Sequence, residues 1–301
     1  MNLDVLRERA RIVRAIRRFF DEQGFLEVET AVRIPAPAPE EHIDCPPVEG
    51  GGYLRASPEL QMKKLLAAGL DKVYQIGPCF REGERGTRHS PEFTMIEWYR
   101  RNADYRDIRD DLEGLWRRLV GDSDKRPPVF STLSVRDAYL RFAGWDPWVE
   151  WDQDRFDFDM ATKIEPALKE RGGVFLTDYP TQAASLAKVS SHQAPSTKHQ
   201  APSTKHQAPG TRHAERWEFY YDGMELANCF TELCDRDEQA RRFRRAKAAR
   251  RALGEADYPV DEAFLECLPQ IESAAGVALG VDRLVMALTG VREISSVRAE
   301  I

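Results

Sequence analysis

The stretch Phe80-Arg81-Glu82-Gly83-Glu84-Arg85-Gly86-Thr87-Arg88-His89-Ser90-Pro91-Glu92-Phe93-Thr94-Met95-Ile96-Glu97-Trp98-Tyr99-Arg100 decides how the rest of the chain is read. It opens on an arginine, crosses a charged loop containing glycines, and ends in a run whose side chains alternate in chemistry. Successive side chains of a strand point to opposite faces. Phe93, Met95, Glu97 and Tyr99 therefore share one face, and Thr94, Ile96 and Trp98 the other. The second set suits a core. The first lines up a ring, a carboxylate and a phenol beyond a loop bearing Arg81, Arg88 and His89, which suits a phosphorylated ligand that carries an amine. An ordinary half-buried strand after a charged hairpin loop gives the same alternation, so the segment alone leaves both readings open.

Composition narrows the field. The 301 residues are 42% hydrophobic, enough for a sizeable core. Charged residues make up 31% and the net charge is -6, which argues against a chain-wide electrostatic grip on nucleic acid. No apolar run approaches the ~20 residues of a membrane span. The first twenty residues form an amphipathic, Arg-rich pattern with acids mixed in, not a signal peptide. A cytoplasmic protein without a membrane partner is expected. The five cysteines are odd in number and lack CxxC spacing, which points to reduced thiols and no zinc site.

Outward from the opening stretch, apolar residues from Val5 to Phe20 recur at helical spacing and predict a helix over 4–21 that ends at Gly24. A strand is expected over Phe25 to Thr30, then an extended loop at Pro35-Ala36-Pro37-Ala38-Pro39, because proline removes backbone donors. Glu59 to Ala68 reads as a helix, Lys72 to Gln75 as a strand and Asp104 to Val120 as a charged helix. Residues 122–172 read as a Trp-rich insertion of short helices, followed by a strand at Val174 to Thr177. The seven residues His192-Gln193-Ala194-Pro195-Ser196-Thr197-Lys198 then repeat from His199, and in altered form from His206. Four of the six histidines lie between 192 and 213. A disordered surface loop at 190–213 is the expectation rather than a metal site, because nothing apolar there offsets the cost of ordering.

Glu215 to Tyr221 and Met224 to Leu233 predict strands joined by Asp222-Gly223, a two-residue hairpin signal. In that register Tyr221 faces Met224, Tyr220 faces Glu225 and Glu218 faces Ala227. Glu218 and Glu225 then share a face as diagonal neighbours about 7 Å apart. Two such carboxylates can hold a divalent cation together with phosphate oxygens and water, and a pair of surface acids fits the same spacing. Asp235 to Leu253 reads as a helix with eight basic residues, either a solvated face or a docking surface. Asp261 to Glu272 is expected to be helical. Gly276 to Leu288 reads as a strand running into a helix near Asp282.

Taken together these segments resemble the catalytic domain of the class II aminoacyl-tRNA synthetases, in their lysyl branch. Gly24-Phe25-Leu26-Glu27-Val28-Glu29-Thr30 is similar to the first motif of that family, Arg81 to Tyr99 to the second, and Gly276 to Arg283 to the third. Ser57-Pro58-Glu59 and the run from Glu225 to Glu232 resemble lysyl-branch substrate segments. The resemblance implies one α+β catalytic domain over 1–301, a largely antiparallel sheet flanked by helices, and a homodimer. A lysyl-tRNA synthetase would carry an anticodon-binding barrel before this core. With none visible, the chain resembles the branch's truncated paralogue, which joins a lysine-type amino acid to a lysine of elongation factor P, and tRNA is not expected as the main partner.

The resemblance also implies roles. Arg81 would bridge the substrate carboxylate and the α-phosphate of ATP, His89 the far phosphates, Phe93 one face of adenine, and Arg283 the γ-phosphate and the other face. Glu82, Gly83, Glu84, Ser90, Leu226 and Gly280 fall at ATP-binding positions, and Glu218 and Glu225 at those of the Mg2+ ligands. Ser57, Pro58, Glu59, Glu97, Tyr99, Asn228, Phe230, Glu232 and Ala278 would hold the amino acid. Ala278 stands where lysyl-tRNA synthetases carry glycine and the paralogue alanine; an extra methyl can disfavour one amine placement over another, so the resemblance implies (R)-β-lysine as substrate. Departures are Ala31 for proline, Gly83 for glutamate, Ser90 for asparagine and Cys229 for glycine. Glu225 is odd in number while Asn228, Phe230 and Glu232 are even, so one face can present all four only if the strand bulges near Leu226 to Asn228. A free-standing α-lysine activator and a catalytically silent binding protein remain as rivals.

Overall fold

The computed structural model describes residues 2–121, 130–169, 171–190 and 212–299. They divide into two compact units, Met1–Pro127 with Cys234–Ile301, and Pro128–Leu233. The histidine repeat lies almost wholly outside the described residues, as does the start of the insertion.

The first unit begins with α1 (Leu3–Glu22), whose free N–H groups are capped by the Asn2 side chain and whose apolar arc buries Val5, Ile12, Ile16, Phe19 and Phe20. Gly24 ends it at φ 74°, a left-handed turn that glycine adopts without strain. Next come β1 (Leu26–Glu27), β2 (Arg33–Ile34), β3 (Tyr53–Leu54), α2 (Glu59–Ala67), β4 (Lys72–Phe80), β5 (Glu92–Arg101) and α3 (Tyr105–Val120). The second unit holds β6 (Phe130–Ser134), α4 (Val135–Ala138), α5 (Gln153–Asp159), α6 (Glu165–Ala167), β7 (Gly173–Tyr179), β8 (Ala214–Tyr221) and β9 (Met224–Thr231). The chain returns to the first unit with α7 (Arg236–Leu253), α8 (Glu262–Cys267), β10 (Ala274–Gly280) and α9 (Val281–Thr289).

Strand order in the first unit is β1-β4-β5-β10, with β1 parallel to β4 and the other pairs antiparallel. In the second it is β9-β8-β7-β6, with only β6 and β7 parallel. This is the α+β architecture with mainly antiparallel pairing that the sequence implied. On one face of the first unit's strands, Phe20 stacks on Tyr74 at 4.9 Å and tilts against Trp98 at 5.1 Å, so the core face of β5 is the one carrying Ile96 and Trp98. The second unit has its own core, in which Tyr139 stacks on Phe156 at 4.6 Å and Trp145 meets Tyr139 edge-on.

Four expectations need correction. The strand expected over Phe25 to Thr30 is only Leu26–Glu27, because the Thr30 N–H and hydroxyl turn to the Gln75 side chain. Conversely β4 continues past Gln75 to Phe80, through Gly77 and Pro78, and pairs with β5 all the way to Glu92. Gly77 is required there because a Cβ would sit 2.7 Å from the buried Arg55 guanidinium. The insertion contains short helices but also β6, whose polar Phe-Ser-Thr-Leu-Ser sequence and half-exposed edge position carry no alternation signal. Finally, the helix expected over Asp261 to Glu272 stops at Cys267, where Pro269 tightens the chain into a 3-10 turn.

Candidate active site

β5 is the backbone of the first unit's site. Glu97 lies on the face opposite Trp98 and is 1% exposed, yet both its oxygens are occupied. Ser57 Oγ donates to Oε1 at 2.6 Å and Tyr99 Oη to Oε2 at 2.7 Å. Burial, reinforced by the charge of nearby Glu59, pushes the Glu97 carboxyl up to about 7. Ser57 has a second task, since its Oγ accepts the Glu59 N–H at 3.0 Å and so caps α2 just beyond Pro58. Glu59 is itself buried and pairs with Lys63 one turn later at 2.5 Å.

The neighbouring strand shapes this pocket. β10 pairs with β5 so that Ala278 stands opposite Glu97 and Gly276 opposite Tyr99. A Cβ on Gly276 would lie 2.1 Å from the Tyr99 ring, so the ring occupies the space that any side chain at 276 would need. The methyl of Ala278 is thus the side-chain group that β10 sets directly across from the Glu97 carboxylate.

At the other end of β5 the loop from Arg81 to Pro91 carries the cationic groups. Arg81 is partly buried, lies over the Phe93 ring at 5.2 Å and reaches Glu84 at 3.5 Å. Gly83 turns the backbone at φ 79°, so a glutamate there would be strained, and Glu84 is the acid that meets Arg81 instead. The Glu82 side chain is exposed, while its N–H donates to Asp44 O at 2.8 Å. Arg283, in the first turn of α9, donates to His89 Nε2 at 2.6 Å and to Arg88 O at 3.3 Å. Burial and the Arg283 charge hold the His89 ring below its usual value, leaving a neutral imidazole. Ser90 is half-buried in the same loop, and Gly280 caps the start of α9.

The sequence missed what fixes this loop. Asp282, 1% exposed, accepts Arg9 Nη1 at 2.5 Å and the Thr94 N–H at 2.9 Å, tying α1, β5 and α9 together beside Phe93 and Arg283. No single element carries that signal, because its three members lie up to 273 residues apart.

In the second unit, the hairpin turns at Asp222 and Gly223 with φ of 50° and 72°, the two positive values a two-residue turn demands. Tyr221 pairs with Met224 and Tyr220 with Glu225, as read from the sequence. The expected facing of Glu218 with Ala227 is wrong: Phe219 pairs with Ala227 and Glu218 with Asn228. The register shifts between Phe219 and Tyr220, leaving Leu226 as the extra residue of a bulge. That bulge resolves the parity conflict, placing Glu225, Asn228 and Phe230 on the face that carries Arg216, Glu218 and Tyr220. Glu232 lies past the strand and is buried.

Glu218 and Glu225 do share a face, but Glu218 is already compensated. Arg216 pairs with its Oε1 at 2.5 Å, and Tyr220 donates to Oε2 at 2.7 Å. Arg216 also donates to Asn228 Oδ1 at 3.1 Å and lies over the Tyr179 ring at 4.3 Å. Arg216 and Tyr220 were not singled out in the sequence, although the spacing Arg216-x-Glu218-x-Tyr220 puts all three on one strand face. A carboxylate keeps further lone pairs after two hydrogen bonds. Two carboxylates and an amide oxygen on one face form the hard-oxygen set that Mg2+ accepts when phosphates and water complete its shell. Among the described residues no cluster of three or more His, Cys, Asp or Glu is arranged to hold a metal alone.

A model of the tRNA synthetases class II (D, K and N) matches residues 2–299. The chain belongs to this family. β4, the loop and β5 span the stretch that the sequence likened to the second motif of the family, and β10 with α9 the stretch likened to the third. Among curated proteins the chain is 36% identical to the elongation factor P--(R)-beta-lysine ligase of Proteus mirabilis, over 98% of this chain and 94% of that protein. It is 35% identical to the ligase of that name from Photorhabdus laumondii and 34% identical to the one from Yersinia enterocolitica, with the same coverage. Class II synthetases are ATP-dependent ligases, and this chain is one of that class. Among the described residues no helix is long and apolar enough to cross a membrane.

Proposed function

We propose that the chain activates (R)-β-lysine with ATP and transfers it to a lysine side chain of elongation factor P. The observation that carries this reading is Glu97. It is a fully buried carboxylate with a raised pKa, held by Ser57 and Tyr99 and faced by Ala278, in a chain whose relatives are named for that reaction. A buried acid of this kind gains most from an ammonium ligand, since the ligand's charge offsets the cost of burying its own.

In the first half-reaction a substrate carboxylate oxygen attacks the α-phosphorus of ATP, and the bond to the pyrophosphate oxygen breaks. Arg81 balances the charge that builds on the carboxylate and the α-phosphate, a task suited to a planar guanidinium. Phe93 and Arg283 hold the adenine, and His89 with Arg283 receives the far phosphates. Neutral His89 donates one hydrogen bond there without adding charge to the Arg283 site. Mg2+ held by Glu218 and Glu225 would offset phosphate charge when bound. Ser57, Pro58, Glu59, Glu97 and Tyr99 would orient the amino acid, and Ala278 would narrow the space beside its amines. In the second half-reaction the acceptor lysine nitrogen, as free amine, attacks the activated carbonyl carbon, loses a proton, and AMP leaves with its phosphate oxygen. We further infer a cytoplasmic homodimer, to which the exposed Leu3 and Leu26 of the first unit would contribute apolar surface.

Pyrophosphate exchange with (R)-β-lysine against α-lysine tests the first step, and intact-mass spectrometry of co-expressed elongation factor P tests the second. The expected results are a preference for (R)-β-lysine and a lysine-sized adduct lost in Arg81→Ala. A clear preference for α-lysine, with no adduct, would refute the reading.

A further inference from the structure

The loop from Arg81 to Pro91 keeps most of its side chains in solvent, so hydrogen bonds rather than apolar burial set where it lies. The C-terminal segment donates to its backbone along its length. Ile294 N–H reaches Thr87 O at 2.8 Å, Arg283 reaches Arg88 O at 3.3 Å, and Arg298 Nη1 reaches Glu92 O where the loop enters β5. The segment is a firm base for this, because its 3-10 turn Ile294–Val297 packs on α1 and α9 and buries Ile294 and Val297. The contacts bracket Phe93. Arg298 holds the carbonyl before it, and Asp282 accepts the Thr94 N–H after it at 2.9 Å. Asp282 directly precedes Arg283, so the two groups assigned to opposite faces of adenine are held on one frame. Charge alone does not account for Arg298. Asp282 already pairs with Arg9 at 2.5 Å, and Arg298 comes only to 4.0 Å of it. Its contact with the Glu92 carboxylate at 3.1 Å involves a side chain that is 55% exposed, where an ion pair is worth little. Its bond to the Glu92 carbonyl, next to Phe93, is the contact that bears on the nucleotide site.

We infer that Arg298 is a positioning residue for ATP: by holding the Glu92 carbonyl it fixes the Phe93 ring relative to Arg283 and so sets the width of the adenine slot. Glu92 is the first residue of β5, and strand ends fray, so a charged donor on its carbonyl matters most there. β4 pairs with β5 at Glu92 and Phe93, so losing Arg298 loosens the end of the strand without melting the sheet. The inference rests on the proposed adenine-binding roles of Phe93 and Arg283. It goes beyond them, because Arg298 touches the backbone of the loop rather than the nucleotide.

The test is titration calorimetry of the full chain with ATP and with AMP, together with pyrophosphate exchange, for wild type, Arg298→Met, Arg298→Lys and Glu92→Gln. In Arg298→Met the Kd values for ATP and for AMP rise together by about tenfold, the scale of one hydrogen bond from a charged donor. KM for ATP rises with them, while KM for the amino acid and for pyrophosphate stays at the wild-type value. Arg298→Lys keeps a charged donor and recovers most of the affinity. Glu92→Gln keeps the carbonyl and binds as wild type does. An unchanged nucleotide Kd in Arg298→Met, an equal loss in Glu92→Gln, or a matching rise in KM for the amino acid or for pyrophosphate would overturn the inference while leaving wild-type binding intact. Wild-type protein that binds neither ATP nor AMP would overturn the functional reading and this inference with it. Should Arg298→Met fail to fold, the other two variants still decide, since a loss of about tenfold in ATP and AMP affinity in Arg298→Lys or in Glu92→Gln refutes the carbonyl contact as the cause.

Discussion

Gly276→Ala is the smallest change that tests how the pocket around Glu97 is built. The added Cβ would lie 2.1 Å and 2.2 Å from two carbons of the Tyr99 ring, against the 3.4 Å or more of ordinary contact. Neither partner can yield cheaply, because Tyr99 is 3% exposed and β10 is held by β5 along its length. Overpacking of this kind costs about 1–3 kcal/mol. If the ring moves, its hydrogen bond to the Glu97 carboxylate goes too, at about 1.5–3 kcal/mol for a charged partner. The expected sum is a loss of about 2.5–6 kcal/mol of stability, with a rise in KM for the amino acid that exceeds any change for ATP. Urea unfolding and pyrophosphate exchange measure the two effects. A double-mutant cycle with Tyr99→Ala then isolates the cause: with the ring removed, Gly276→Ala should be nearly neutral, giving a coupling close to the whole single-mutant loss, about 2.5–6 kcal/mol. Additive effects, with coupling near zero, would show that the ring does not set the requirement for glycine.

Two further predictions follow from buried charge. The folded pKa of Glu97, about 7, lies above its unfolded value, so the folded state binds the extra proton between them; this contribution is full below the unfolded pKa and is lost as pH rises through about 7. Ligand-free Glu97→Gln should therefore lose less stability than wild type between roughly pH 5 and pH 8 in thermal unfolding, and parallel curves would contradict the burial argument. Arg250, buried in α7, donates to Glu40 O, Ile43 O, Ala256 O and Asp44 Oδ1 and lies over Tyr258 at 4.4 Å. Arg250→Met should cost about 2–4 kcal/mol in urea unfolding, since several buried acceptors lose their donor while Asp44 can still meet water; a loss under about 1 kcal/mol would place that network at the margin of stability.

What could be read in the chain beforehand follows from the range of the interactions. The alternation in Phe93 to Tyr99 placed Glu97 and Tyr99 on the face away from Trp98, because a period of two is a local property of any strand. The parity conflict between Glu225 and Asn228 located the bulge at Leu226 for the same reason, although the facing of Glu218 with Ala227 was drawn as if the strand were regular. Gly276 and Gly77 were unreadable as glycines with a purpose, since each leaves room for a side chain from another strand or loop. Arg250 looked like one more cation on a basic helix, and only its distant carbonyl partners separate it from the exposed Arg244 and Arg245. β6 was missed because a short, half-exposed edge strand has no buried face to impose a pattern.

The two carboxylates that mattered most to the sequence reading differ in what surrounds them, and that difference separates their uses. Glu218 already faces Arg216, so an incoming ammonium would compete with a bound guanidinium and gain little. Under the proposed function, its oxygens would instead add to a metal already neutralised by phosphate. Glu97 receives neutral donors from Ser57 and Tyr99 on its two oxygens. The protein bears the cost of burying Glu97 in the ligand-free state, which is why its carboxyl is raised toward neutrality. An ammonium recovers that cost on binding, whereas an analogue with carbon in place of the amine nitrogen leaves it in full. Under the proposed function, the neutral donors on Glu97 would leave an incoming ammonium to meet its charge, and a substitution that places a cation against Glu97 should relax selectivity for the amine.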